Sequence, residues 1–128
     1  MVALIHLDTH VLVWLYQGRL DLFPPAARDR LEEHDLAVSP MAVLELQYLH
    51  EIGRLVPMAD AVVEELGRTV GLATCDRPFP AVARRALTLR WTRDPFDRLI
   101  VAQATVAGVP LLTRDEVIRR HLPEAIWG

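Results

Sequence analysis

Apolar residues in this chain gather into short unbroken runs separated by helix-length segments, the pattern of strands and helices in alternation. Residues 2–7 are a nearly continuous apolar run in which only His6 is polar, as expected of a central parallel strand covered on both faces. Residues 9–17 predict a helix closed by Gly18. It is apolar all round over 11–16, so it is either buried on every side or lends a face to a partner, with Trp14 and Tyr16 the groups in excess of one buried face. Pro24 and Pro25 open a second helix reaching about residue 34, and 36–39 read as a short strand. The spacing of Met41, Leu44, Tyr48 and Ile52 predicts a helix over 41–52 that Gly53 ends. Further on, 60–69 predict a helix, 71–74 a short strand, and 81–87 a helix with Arg84 and Arg85 on its polar side. Residues 109–113 predict a final core strand and 116–122 a closing helix. This order predicts an α/β fold with a mainly parallel sheet and helices on both faces.

Between the last two of these strands lies the most informative stretch, Thr92-Arg93-Asp94-Pro95-Phe96-Asp97-Arg98 followed by an apolar run to Ala107. Asp94 is a favoured N-cap. Pro95 suits the first helical position, where its missing N–H has no partner to lose, and Gly108 stops the helix. Asp97 then falls at the third helical position. A capping box would occupy both acids, although Asp is short for the reciprocal reach that Glu or Gln makes from that position.

Composition narrows the function classes. At 128 residues, 52% hydrophobic and 24% charged, the chain has the size of one domain, expected to occupy residues 1–128. Cys75 is the only cysteine, so no internal disulfide is available, and no Cys/His spacing suggests zinc. With no basic leader and no run long enough to span a bilayer, the protein is expected in the cytoplasm, away from membranes. All 14 basic residues are arginine, which excludes chemistry that needs a lysine. The net charge of -3 is unevenly spread. Residues 1–64 hold 4 arginines against 10 acids and residues 65–128 hold 10 against 7, about -6 and +3, so a basic surface can sit beside an acidic one.

Four acids ask for a common explanation. Asp8 and Asp115 each follow a predicted strand, at the sheet end where ligands bind in this architecture, although each could also cap a helix. Asp97 lies at a helix start. Glu45 has Met41, Ala42, Tyr48 and Leu49 as its helical neighbours, an apolar face on which a carboxylate needs a partner, whether functional or an arginine. Clustered carboxylates raise one another's pKa and are kept together where they hold a cation or share protons. With oxygen donors alone, the ion of choice is Mg²⁺ or Mn²⁺, which can activate water for attack on a phosphodiester.

The segments LDTHVLVW, VLELQ, RDPFDRLIVAQA and LLTRDEV resemble those of PIN-domain ribonucleases, in particular the VapC toxins of bacterial toxin–antitoxin pairs, and the resemblance spans nearly the whole chain. It implies a three-layer α/β/α fold around a sheet of about five strands. It also implies Asp8, Glu45, Asp97 and Asp115 as metal ligands and catalytic residues, with Thr9 and Thr113 supporting them, and Asp94 supports from its place as the helix cap. The implied cofactor is Mg²⁺ or Mn²⁺, the implied partners are a cognate antitoxin, a second copy of the chain and an RNA substrate. Arg93, Arg98 and Arg114 flank the acids and are candidate phosphate contacts by adjacency. Two departures bear on substrate positioning: Ala42 stands where a serine is common, leaving Ser39, and Trp91-Thr92 stand where a histidine often precedes the RDP segment. A receiver domain and a haloacid-type phosphatase are disfavoured because both need a lysine, and the second needs Asp-x-Asp where this chain has Asp8-Thr9-His10. The alternative reading is a non-catalytic PIN-like binding or regulatory module.

Overall fold

The computed structural model describes residues 3–128. Five strands, β1 (Leu4–Leu7), β2 (Asp35–Val38), β3 (Ala73–Thr74), β4 (Leu111–Leu112) and β5 (Ala125–Ile126), form one sheet in the order β3-β2-β1-β4-β5. Every pairing is parallel, so each connection crosses over through helix. Those helices are α1 (Thr9–Tyr16), α2 (Pro25–Glu33), α3 (Pro40–Glu51), α4 (Ala59–Val70), α5 (Phe79–Ala86), α6 (Pro95–Ala107) and α7 (Glu116–His121), with a single 3₁₀ turn at Leu20–Leu22.

The central strand is β1, and its residues explain why. Ile5, Leu7 and His6 are all buried, with no face left for solvent. Burial pushes the His6 imidazole down to about 4, so it sits in the core uncharged. The chain builds outward from β1 to β2 and β3, then returns to lay β4 on the other side. β1 and β4 are therefore neighbours whose crossovers diverge, and a crevice opens beyond their carboxyl ends. Register fixes the detail: His6 pairs with Leu111 and Leu7 with Leu112, and the Asp8 N–H donates to the Leu112 carbonyl at 3.0 Å. Asp8 and Thr113 thus leave the sheet side by side.

On one flank, Ile100, Val101 and Ala104 of α6 join the main core with β1, β4 and α3 residues. α5 packs along the far side of α6, where Val82 and Ala86 meet Ala102 in a small second core. Among the described residues, no helix is long and apolar enough to cross a membrane.

Several sequence expectations shift. The first strand begins at Leu4, and Val2 lies outside the described residues. The strand at 109–113 contracts to Leu111–Leu112 and is not the last, because β5 pairs beyond it as the sheet edge. Trp14 was expected in excess of the buried face. It is half-buried in an aromatic cluster, with ring centroids 6.0 Å from Phe23 and 5.9 Å from Trp127, so packing within the chain occupies much of it.

Candidate metal centre

Asp8 caps α1 from the end of β1 and is almost wholly buried, 4% exposed. Both of its oxygens are engaged. Oδ1 accepts from the Thr9 N–H at 2.8 Å, and Oδ2 accepts from the Thr113 hydroxyl at 2.6 Å. Burial nonetheless pushes the Asp8 carboxyl above its ordinary range, against the pull of these two donors, and the negative charge of Asp115 adds to the rise. Thr9 is buried too, and its hydroxyl donates to Glu45 Oε1 at 2.6 Å, tying α1 to α3. Among the described residues no arginine forms an ion pair with Glu45, where one was a possible partner; a neutral hydroxyl binds it instead. Glu45 is likewise pushed up, first by burial and then by Asp8 and Asp94.

The start of α6 divides two roles between two acids. Asp94 Oδ1 accepts from the Phe96 N–H at 2.8 Å and the Asp97 N–H at 3.3 Å, so Asp94 is the cap. The reciprocal arm of a capping box is missing, because the Asp94 N–H donates to the Thr92 hydroxyl at 3.2 Å. Asp97 is left free of capping duty. Its carboxyl is pushed up to about 7, first by burial and then by the charges of Asp94, Asp8, Asp115 and Glu45. All four neighbours act on Asp97 with the same sign as burial.

Asp115 caps α7, its Oδ1 accepting from the Val117 and Ile118 N–H groups at 2.8 and 3.0 Å, while its own N–H donates to the Thr113 hydroxyl at 3.0 Å. Thr113 thereby links Asp8 and Asp115. Among the described residues, none of these acids is paired with an arginine; the ion pairs are Arg19–Asp21 and Arg68–Glu65, far along the chain. In this conformation no three acidic, histidine or cysteine side chains among the described residues close on a single metal-sized point. The fit to a metal therefore rests on donor chemistry: hard oxygen ligands, mutual repulsion, and no ion-paired arginine among the described residues.

Of the arginines named from adjacency, Arg98 is half-buried and donates from Nε to the Thr92 carbonyl at 2.7 Å, fixing the loop before α6. Arg114 lies over the Trp14 ring, 5.5 Å from its centroid. Arg93 is exposed. The sequence gives no role to His10, which the structure sets close enough to Asp8 and Glu45 to oppose, in small part, the rise of both carboxyls. Its only sequence mark is its place directly after Asp8-Thr9. His10 also lines a cavity of about 420 Å³ with Thr9, Glu45, Tyr48 and Arg54, opening between α1 and α3 beside the acids. Ser39 takes no part in the acid cluster: it caps α3 through the Met41 N–H and donates to Gln103 Oε1 at 3.3 Å.

A parallel sheet with acids just beyond the carboxyl ends of its central strands defines the class, and a family model described as PIN domain matches residues 5–121, so the chain belongs to the PIN-domain family. Over 130 aligned positions it is 33% identical to Ribonuclease VapC22 of Mycobacterium tuberculosis (strain ATCC 25618 / H37Rv), covering 94% of this chain and 96% of that protein. Among solved structures, it is similar to VapBC2 from Rickettsia felis bound to a DNA fragment from their promoter, with a TM-score of 0.69 and 17% identity over 98% of this chain and 99% of that one. VapBC-1 from nontypeable Haemophilus influenzae gives a TM-score of 0.67 at 17% identity, covering 98% and 96%. These two likenesses establish the shared fold.

Proposed function

We propose that this chain is a divalent-metal-dependent endoribonuclease acting as the toxin of a toxin–antitoxin pair. The observation that carries the reading is the linkage of Asp8 to Asp115 through Thr113, and of Glu45 to α1 through Thr9, with Asp97 raised by burial and by the charges of these acids, in a chain one-third identical to a VapC ribonuclease. Asp8, Glu45, Asp97 and Asp115 would hold one or two Mg²⁺ or Mn²⁺ ions. Such an ion, when bound, supplies a water of lowered pKa and offsets charge on the scissile phosphate.

The chain's own groups prepare that site. The Thr113 hydroxyl and Thr9 N–H orient the Asp8 carboxylate, and the Thr9 hydroxyl orients Glu45. Asp94 holds the first turn of α6 and so aims Asp97. Asp97, its carboxyl raised to about 7, would have to lose its proton to serve as a ligand. Single-stranded or looped RNA is the favoured substrate, since unstacked segments are those that proteins read by sequence. The partners in this reading are an antitoxin, supported by the VapBC complexes that share the fold, and a second copy of the chain, as the family resemblance implies.

The test is cleavage of RNA by the purified chain in Mg²⁺ or Mn²⁺. Cleavage that EDTA abolishes and Asp97→Asn removes is expected. A folded wild-type protein that cleaves no RNA under either metal would overturn the reading in favour of a non-catalytic module.

A further inference from the structure

The carboxylates that suit a metal also repel a polyanion, so an RNA strand must be drawn in by charge elsewhere on the surface. Between Arg77 and Arg93 the sequence holds no Asp or Glu and five arginines: Arg77, Arg84, Arg85, Arg90 and Arg93. All five are exposed, and none forms an ion pair among the described residues. Their placement follows from packing. Val82 and Ala86 turn one face of α5 onto α6, which sends Arg84 to the opposite side and leaves Arg85 on an exposed flank. Residues 87–94 then connect α5 to the N-terminus of α6, and that connection carries Arg90 and Arg93 to Asp94 and Asp97. Leu89, packed against both cores, holds the connection down. Phe79, 60% exposed at the start of α5, adds an aromatic face within the same strip.

We infer that this arginine strip, from α5 along the α5–α6 connection to the carboxylate crevice, is the surface on which the phosphate backbone of single-stranded RNA docks. Positive charge tracking a backbone, with an aromatic face beside it, is the chemistry that holds single strands without reading their sequence. The inference deepens the ribonuclease reading, on which its biological purpose rests, but its test does not depend on cleavage.

Fluorescence anisotropy with a mixed-sequence single-stranded RNA, in EDTA so that nothing is cut, measures docking alone. The variant is Arg84→Gln, Arg85→Gln and Arg90→Gln together. Its control, Arg19→Gln, Arg28→Gln and Arg68→Gln, makes the same charge change elsewhere, and thermal melts check that both remain folded. The strip variant is expected to bind on the order of tenfold more weakly at low salt, with a slope of log affinity against log salt reduced by about 2, near 0.7 per lost phosphate contact. The control is expected to bind like the wild type. Equal affinity and slope in wild type and strip variant would overturn the inference, as would an equal loss in the control. If the wild type cleaves RNA while the strip variant binds unchanged, the inference fails and the ribonuclease reading stands. If the strip variant loses binding while the wild type cleaves nothing in either metal, the ribonuclease reading fails and the docking surface stands.

Discussion

Thr113 donates its hydroxyl to Asp8 across 105 residues of sequence, at 2.6 Å, joining the two strand ends between which the crevice opens. Thr113 is fully buried, so no water stands ready to replace that donor. The bond favours the charged form of Asp8, opposing the burial that raises its pKa. Thr113→Val is therefore expected to raise the Asp8 pKa further and to shift the acid limb of metal-dependent cleavage to higher pH. It should also cost about 1–3 kcal/mol of stability for the acceptor left without a donor. Thr113→Ser should restore the pH profile. A Thr113→Val profile superimposable on the wild type would separate this hydroxyl from the site's protonation.

Stability in the absence of metal should carry the mark of the same crowding. Asp97 has its folded pKa raised from 3.8 to about 7, so the folded state binds more protons than the unfolded state between those values. By linkage, its contribution is lost as pH rises through that window. Asp8 and Glu45, also raised, act with the same sign. His6 acts oppositely: with its folded pKa lowered from 6.5 to about 4, it favours unfolding as pH falls through that range. In EDTA, the wild-type melting temperature is expected to fall between pH 5 and pH 8. Asp97→Asn should reduce that fall and expose the opposing slope of His6. Parallel pH dependences for wild type and Asp97→Asn would contradict the coupling.

How far the fold could be read from sequence depended on where local chemistry and tertiary packing agreed. Asp94, Pro95 and Gly108 mark both ends of α6 because each acts on its own backbone: a side-chain acceptor, a fixed φ, and a left-handed residue at φ 70. β5 escaped notice because Ala125 and Ile126 are only half-buried and form a strand solely by pairing with β4. The acids stood out in sequence by position, after strands or on an apolar helix face. Which of them cap and which are left free could not be read there, since Asp8, Asp94 and Asp115 all cap helices while Asp97 does not. Arg98 shows the limit of adjacency: it neighbours Asp97 in sequence, yet its guanidinium is bound to the Thr92 carbonyl.

Trp14 was expected to contribute to a partner or dimer surface, and its contacts within the chain alter the expected outcome of removing it. Its ring packs edge-on to Phe23 at 78° and lies beside Trp127, with Arg114 above. Trp14→Ala should therefore destabilise the isolated chain by about 3 kcal/mol, the lower end for loss of a large aromatic, since the residue is only half-buried. Urea denaturation measures this directly. A change below about 1 kcal/mol, together with weakened self-association, would return Trp14 to the interface.

Asp94 and Asp97 sit three residues apart and should respond to the same substitution in opposite ways. Asp94 accepts from two N–H groups of the first turn, and Asn caps about as well as Asp. Asp94→Asn should cost a few tenths of a kcal/mol and Asp94→Ala about 1 kcal/mol. Asp97 caps nothing, and its charge is opposed by burial and by four acids, so Asp97→Asn should leave the metal-free protein at neutral pH at least as stable as the wild type. Metal reverses the comparison. An ion that binds only the folded state adds about 2.7 kcal/mol at a hundredfold excess over its dissociation constant, a gain visible in thermal melts with and without Mn²⁺. Asp94→Asn should keep that gain and most of the RNA cleavage, and Asp97→Asn should lose both. Retention of both by Asp97→Asn would remove Asp97 from the metal site, whereas equal loss by Asp94→Asn would make Asp94 a ligand as well as a cap.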